Sequence, residues 1–141
     1  MYSDMDIIDE IKEITDSQWV ANQSTLNNVL FDQKSMKPLC VIDLDTVMPG
    51  SILYDFGDSI RFGCNPAGEN EKDLSKVVFR FDYFKAYVDG YLSTLGSSIS
   101  KKEKELLSFS AKLMTLECGI RFLDDYLDGD HYFRISNPDD N

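Results

Sequence analysis

Residues 28–44 read Asn-Val-Leu-Phe-Asp-Gln-Lys-Ser-Met-Lys-Pro-Leu-Cys-Val-Ile-Asp-Leu, and this stretch decides the fold around it. Two short apolar runs, 28–31 and 38–44, are separated by the polar segment 32–37, whose composition is typical of a turn. Runs of this length that are rich in valine, isoleucine and phenylalanine favour β-strands. The pattern therefore predicts a β-hairpin, which is the one sheet that we expect.

Helices are predicted on both sides of the hairpin. Before it, isoleucines at helical spacing predict one amphipathic helix from Asp4 to Val20. After it, Met48-Pro-Gly-Ser51 predicts a turn, and Asp55 and Asp58 precede apolar positions in a way that is typical of the start of a short helix. These helices need an apolar partner surface, so we expect them to pack on one another.

Two longer helices are predicted in the second half of the chain. Apolar residues from Leu74 to Leu95 recur at intervals of three and four, and Gly96-Ser-Ser98 predicts the end of that helix. Ser100-Lys-Lys-Glu103 has the form of a capping box, and Asp128-Gly-Asp130 predicts the end of the helix that follows. The sequence thus predicts an α+β chain, mainly α, with one hairpin and several helices.

Length, composition and charge limit the classes of protein to which this chain can belong. The 141 residues, of which 43% are hydrophobic, are enough for one domain with an ordinary core. A formal net charge of −11 argues against binding to nucleic acid or to an anionic membrane surface. The N-terminal residues lack the pattern of a secretory leader, and the three cysteines are an odd number for a disulfide framework. We therefore expect a cytoplasmic protein.

Three motifs carry a resemblance to a known family: Asn27-Asn-Val-Leu-Phe-Asp32, Val41-Ile-Asp-Leu-Asp45 and Tyr54-Asp-Phe-Gly-Asp58. They resemble motifs of the aminoglycoside phosphotransferase and choline kinase-like superfamily, and their residues are similar to those of bacterial N-acetylhexosamine 1-kinases. The resemblance continues through segment 113–133. It implies the C-terminal lobe of a protein-kinase-like fold.

The nucleotide-binding lobe of such a kinase, with its phosphate-covering loop and strand lysine, has no counterpart in the sequence. On this basis residues 21–141 are expected to form a truncated C-terminal lobe. Residues 1–20 are expected to form an N-terminal helix without a family match, which joins the lobe in a single domain.

The resemblance also implies a site. Asn28 and Asp43 match the residues that hold Mg²⁺ and, through it, ATP, and Asp45 supplies a further carboxylate near the reacting groups. The position of the catalytic aspartate is occupied by Gln23, whose neutral amide cannot act as a base. Loss of a general base typically costs about 10²- to 10⁴-fold in rate. We therefore expect little or no activity from this chain alone.

The substrate implied by the resemblance is a sugar, with Asp55 and Arg61 as candidate contacts. The alternative is that Asp55 braces the catalytic loop or caps a helix, and that Arg61 forms a salt bridge. Arg121 and Asp124 are expected to form a solvated pair or an internal polar bridge, with substrate contact as a further alternative.

Two functions are compatible with these residues. The first is a fragment of an ATP-dependent sugar 1-kinase, completed by a separate nucleotide-binding lobe. The second is a non-catalytic, pseudokinase-like helical domain that binds a partner or forms a homo-oligomer.

Overall fold

The computed structural model describes residues 19–21, 28–68, 71–133 and 135. These ranges contain four short strands, three α-helices and one turn of 3₁₀ helix. The strands are β1 (Trp19–Ala21), β2 (Val29–Phe31), β3 (Pro38–Val41) and β4 (Val47–Pro49). The helices are α1 (Ile52–Gly63), the 3₁₀ turn (Leu74–Lys76), α2 (Phe81–Leu95) and α3 (Lys101–Asp128). The described part of the chain is therefore α+β and mainly helical, as predicted.

The predicted hairpin is present. Strands β2 and β3 pair antiparallel, with Val29 opposite Val41. The turn closes because the backbone N–H of Asp32 donates to the carbonyl of Lys37 at 2.9 Å, while the Asp32 carboxylate accepts from both the N–H and the hydroxyl of Ser35 at 2.7 Å each. Strand β3 ends at Val41, three residues before the predicted end of the apolar run.

A second sheet was not predicted. Strands β1 and β4 pair antiparallel, with Trp19 opposite Pro49. Two predictions are therefore wrong: Trp19 and Val20 belong to a strand and not to the end of a helix, and Met48 and Pro49 lie in a strand and not in a turn. The rest of the predicted N-terminal helix lies outside the described residues. Each strand has only three residues, so its neighbour across the sheet, and not its own pattern, defines it.

Helix α1 forms where a short helix was predicted. Ser51 is its N-cap, and the Ser51 hydroxyl accepts from the N–H of Leu53 at 3.3 Å. Leu53, Phe56 and Ile60 recur at intervals of three and four on one face and are 0–2% exposed. Aromatic rings of α2 pack around Phe56: the centroid of Tyr91 lies 5.1 Å from that of Phe56.

Helix α2 begins at Phe81 and not at Leu74, which corrects the predicted boundary. Residues 74–76 form a single 3₁₀ turn, and the chain then runs extended as far as Arg80, whose N–H donates to the carbonyl of Cys64 at 2.8 Å. The adjacent β-branched Val77 and Val78 favour this extended conformation. The helix ends at Gly96, where φ is +55°, as predicted.

Helix α3 confirms the predicted capping box. The Ser100 hydroxyl accepts from the N–H of Glu103, and the Glu103 carboxylate accepts from the N–H of Ser100 at 2.7 Å. The helix ends at Gly129, where φ is +98°. The buried apolar core is formed mainly by α1 and the first half of α3: Ile52, Leu53, Phe56, Ile60, Cys64, Ile99, Leu106 and Leu107. Within the described ranges no helix is both long and apolar enough to cross a membrane.

Candidate functional site

The hairpin brings Asn28 and Asp43 together. Asn28 immediately precedes β2, and Asp43 lies two residues after β3, so antiparallel pairing places the two positions at the same end of the sheet. The backbone N–H of Ile42 donates to the carbonyl of Asn28 at 2.8 Å, which extends the pairing beyond the strands. The Asn28 side-chain amide donates to the Asp43 carboxylate at 3.2 Å. Two side chains that are fifteen residues apart in sequence thus meet in one place.

The chemistry of this pair fits Mg²⁺ in the company of a phosphate ligand. Carboxylate and amide oxygens are hard ligands, and Mg²⁺ is commonly held by one or two carboxylates together with substrate phosphates. Asp43 is exposed, so a ligand can reach it. Among the described residues, no group of three or more histidine, cysteine, aspartate or glutamate side chains is placed to hold a metal ion. Asn28 and Asp43 are the two residues here that would supply oxygen ligands to such an ion.

The backbone of Asp43 has a left-handed conformation, with φ at +62°. Few residues other than glycine adopt this region, and aspartate and asparagine are among those that do so most readily. The conformation turns the chain sharply just after β3. At this turn the Asp43 carboxylate accepts the hydrogen bond from the Asn28 side chain.

The structure places Asp45 in the exposed turn that leads into β4, two residues after Asp43. Gln23 and the loop around it lie outside the described residues. The predicted roles of both positions in catalysis therefore stay predictions.

Asp55 and Arg61, the predicted substrate contacts, both lie on α1. The Arg61 Nε donates to the Asp58 carboxylate at 2.9 Å, and both side chains are largely buried. Asp55 faces α2: burial raises the pKa of Tyr87 and of Tyr91, and the charge of Asp55 raises both further. The alternative anticipated for Arg61, an intramolecular salt bridge, is present. A sugar contact by either residue stays a prediction.

A second group of polar residues surrounds an open cavity of about 440 Å³ at the end of α3. Its lining consists of Arg121, Asp124, Asp125, Asp128, His131 and Tyr132. Arg121 forms an ion pair with Glu117 at 3.7 Å, and its guanidinium lies 5.7 Å from the centre of the Tyr132 ring. The cavity therefore offers charged donors and acceptors beside an aromatic ring.

Asp125 holds in place the residues that line this cavity, a role that was not predicted from the sequence. The carboxylate is 6% exposed and accepts hydrogen bonds from the backbone N–H groups of His131, Tyr132 and Phe133 at 2.7–2.9 Å. Three such bonds fold the segment after α3 back onto the helix. The signal in the sequence was an acidic residue one turn before the predicted helix end at Gly129, a position from which a carboxylate can reach the following backbone.

Residues 24–91 match the phosphotransferase enzyme family. The match spans slightly less than half of the chain and includes Asn28, Asp43, Asp45, Asp55 and Arg61. It supports a relationship to the aminoglycoside phosphotransferase and choline kinase-like superfamily and indicates a phosphotransferase-like domain. Gln23 and the cavity at the end of α3 lie outside the matched residues.

Proposed function

We propose that this chain forms the C-terminal, acceptor-binding lobe of an ATP-dependent phosphotransferase. In this lobe Asn28 and Asp43 bind the Mg²⁺ of a nucleotide. The observation that carries the proposal is the 3.2 Å contact between these two side chains, within the segment that matches the phosphotransferase enzyme family. In protein kinases an aspartate and an asparagine hold the Mg²⁺ ions of the nucleotide, and Asp43 and Asn28 supply the same two kinds of side chain. ATP and Mg²⁺ are therefore the proposed cofactors.

The reaction would transfer the terminal phosphoryl group to a hydroxyl. The hydroxyl oxygen forms a bond to phosphorus, the bond from phosphorus to the bridging oxygen of ADP breaks, and the hydroxyl proton leaves to a base. Bound Mg²⁺ would neutralise charge on the phosphates, and Asn28 and Asp43 would fix its position. Gln23 stands where the family has its base and cannot accept the proton, so we propose that the isolated chain is inactive or nearly so.

We propose a sugar, of the N-acetylhexosamine type, as the acceptor. The sequence resemblance supports this class, and the cavity at the end of α3 supplies groups that suit a ligand with several hydroxyls. Carboxylates accept from hydroxyls, a guanidinium donates to them, and the Tyr132 ring offers an apolar face. Arg61 and Asp55 are the alternative contacts proposed on α1.

We further propose that a nucleotide-binding lobe covers the hairpin. Leu39 and Val41 are alternate residues of β3, so they share one face of the hairpin, and they are 65% and 50% exposed. Neighbouring exposed apolar side chains of this size suit a surface that meets another protein. The alternative, a non-catalytic domain that only binds partners, uses the same exposed surface and differs in having no nucleotide site.

Calorimetric titration of Mg·ATP into the full chain tests the proposal. We expect saturable binding that Asp43→Asn weakens by at least about tenfold, since it removes the one charged ligand of the pair. Asp89→Asn makes the same chemical change at an exposed position on α2 and serves as the matched control. Equal affinities for the wild type and Asp43→Asn, or no binding heat from either, would refute a nucleotide site at this pair.

Activity needs a second test, because binding and catalysis can be lost separately. Gln23→Asp restores a carboxylate at the base position. With a nucleotide-binding lobe of this family supplied as a separate chain, we expect this variant to phosphorylate N-acetylhexosamines at least about 10²-fold faster than the wild type. If neither protein forms a sugar phosphate while Mg·ATP still binds, the sugar kinase assignment is wrong.

A further inference from the structure

The second half of α3 carries a row of large apolar side chains that faces solvent. Leu116, Ile120, Leu123 and Leu127, named here the α3 stripe, are 59%, 56%, 56% and 74% exposed. Isolated exposed leucines are ordinary on protein surfaces, whereas four in one line form a continuous apolar patch. Such a patch on a regular helix is suited to another helix.

The spacing of the stripe is that of a coiled coil. Its members follow one another at intervals of four, three and four. Leu113 and Phe109 continue the series backward but are half-buried and pack against the core, so the exposed part of the series begins at Leu116. In heptad terms Ile120 and Leu127 occupy a positions, and Leu116 and Leu123 occupy d positions. Leucine at both d positions and the β-branched Ile120 at one of the two a positions fit a two-stranded parallel pair.

The stripe does not overlap the face of α3 that packs inside the molecule. Leu106, Leu107 and Ser110 are buried against α1, at the face where Gly57 meets the backbone of Ser110. With about 100° of rotation per residue, that face lies roughly 115° around the helix from the stripe. Another helix can therefore lie along the stripe without displacing α1.

The segment after α3 also leaves the stripe open. It folds back through Phe133, whose ring stacks on Phe122 with centroids 4.3 Å apart, on a third side of the helix. Gly119, beside the stripe, has no described atom within 4 Å of the position that a Cβ would take. The approach to the stripe is thus unobstructed along its length by the described residues.

The flanking charges distinguish the possible orientations of a second copy. Lys112 occupies a g position, and Glu117 occupies the e position five residues later. In a parallel pair, Lys112 lies beside Glu117 of the partner subunit, and the attraction is repeated on the other side of the seam. Within one chain Glu117 also forms an ion pair with Arg121 at 3.7 Å, so its carboxylate would be shared by two cations. In an antiparallel pair, e positions face e positions, and Glu117 and Asp124 then bring carboxylates together. Charge therefore favours the parallel arrangement.

We propose that two copies of this chain associate through the α3 stripe as a parallel, in-register helix pair. The interface is small, with four large side chains from each copy, below the roughly 1,200–2,000 Å² typical of stable complexes. A reversible dimer with a dissociation constant on the order of 10 µM is the expected result. Association of this kind is independent of the nucleotide site and of the sugar kinase proposal.

Sedimentation equilibrium on the full chain tests the dimer. The wild type should shift from monomer to dimer with rising concentration, and Leu123→Glu should weaken the association by at least about tenfold, because it buries a charge in the seam. Leu74→Glu makes the same change at a residue that is 79% exposed and lies away from the stripe, so it should associate like the wild type. A wild type that stays monomeric, or equal weakening by both variants, would overturn the proposal.

A charge exchange tests the orientation. Lys112→Glu should weaken the dimer, and the double variant Lys112→Glu with Glu117→Lys should recover most of the loss, since the pairing is restored with the signs reversed. Circular dichroism on each variant confirms that the helices are intact. If the double variant associates no better than Lys112→Glu, the parallel in-register pair is wrong.

Discussion

Gly57 determines how closely α1 and α3 can pack. A Cβ at this position would lie 2.5 Å from the backbone carbonyl oxygen of Ser110 and 2.6 Å from the Cγ of Met114. The flexible methionine can move aside, but the carbonyl oxygen belongs to the backbone of α3 and is held in the helix. The two helices therefore need a residue without a side chain at their contact.

We predict that Gly57→Ala lowers the free energy of unfolding by about 1–3 kcal/mol, because α1 must move away from α3. Gly90→Ala is the matched control: Gly90 lies inside α2 with no described atom within 4 Å of its Cβ position, so alanine should raise stability by about 0.5–1 kcal/mol. Urea unfolding measures both. Equal effects of the two substitutions would contradict the close contact between α1 and α3.

At the scale of the element, the end of α3 is held by one buried carboxylate. The Asp125 carboxylate accepts hydrogen bonds from three backbone N–H groups. These charge-assisted bonds replace the hydrogen bonds to water that the N–H groups would otherwise make. The same bonds place His131 and Tyr132 around the open cavity. The shape of the cavity therefore depends on a residue whose own side chain is almost inaccessible.

We predict that Asp125→Asn weakens the attachment of the segment 131–133 by about 1.5–3 kcal/mol, since hydrogen bonds to a charged acceptor are replaced by bonds to a neutral one. Hydrogen exchange of the amides of His131, Tyr132 and Phe133 should become faster. Asp124→Asn, at the exposed neighbouring position, should leave their exchange unchanged. Unchanged protection in Asp125→Asn would show that other contacts hold the segment.

The elements also show what the sequence could predict. The hairpin and α3 carry their own signals, two short apolar runs around a polar turn and a capping box, and both appear where they were predicted. The boundary of α2 was misplaced, because Arg80 takes its backbone partner from Cys64, a contact that local periodicity does not reveal. Strands β1 and β4 depend on each other in the same way.

The residues of the candidate site also differ in whether the sequence could predict them. Asn28 and Asp43 were anticipated from motif spacing, and the hairpin explains why they meet. Asp125 was missed because its partners are backbone groups of the following residues, and a single aspartate in the sequence gives no sign of which amides it will accept. Local sequence patterns predict helices and strands. Contacts between backbone groups of different segments become known only from the structure.

At the scale of the whole molecule, the buried core and the Asn28–Asp43 pair lie in different parts. Among the described residues, the fully buried side chains belong to α1, α3 and the residues next to them, whereas every residue of β3 is exposed. Tyr87 and Tyr91 of α2 close the helical core against Phe56. The stability of the described fold therefore reflects the helices, and changes on the hairpin should affect it little.

We predict that the protein loses stability at alkaline pH. Burial raises the pKa of Tyr87 and Tyr91 above the ordinary value of 10.0, so the unfolded chain releases these protons first. The stability that the neutral phenols supply is fully present below about pH 10 and declines as the pH rises further. Thermal unfolding between about pH 9 and about pH 11 should show a falling Tm.

Substitution tests whether the two core tyrosines cause this decline. Tyr87→Phe and Tyr91→Phe should each flatten the dependence of Tm on pH, because phenylalanine has no proton to lose. Tyr126→Phe removes a hydroxyl from a side chain that is 49% exposed and should behave like the wild type. A decline of the same steepness in all three variants would mean that other groups govern alkaline unfolding.

The left-handed backbone of Asp43 has a consequence for the history of such a chain. Asparagine and aspartate are both among the residues that adopt these backbone angles readily, so the carboxylate can be replaced by an amide without disturbing the backbone of the hairpin. Selection for a stable fold therefore cannot preserve the charge at this position. Only selection for the activity itself can do so. In a lineage where that selection has ended, the fold would persist while neutral substitutions remove the residues of the site one after another.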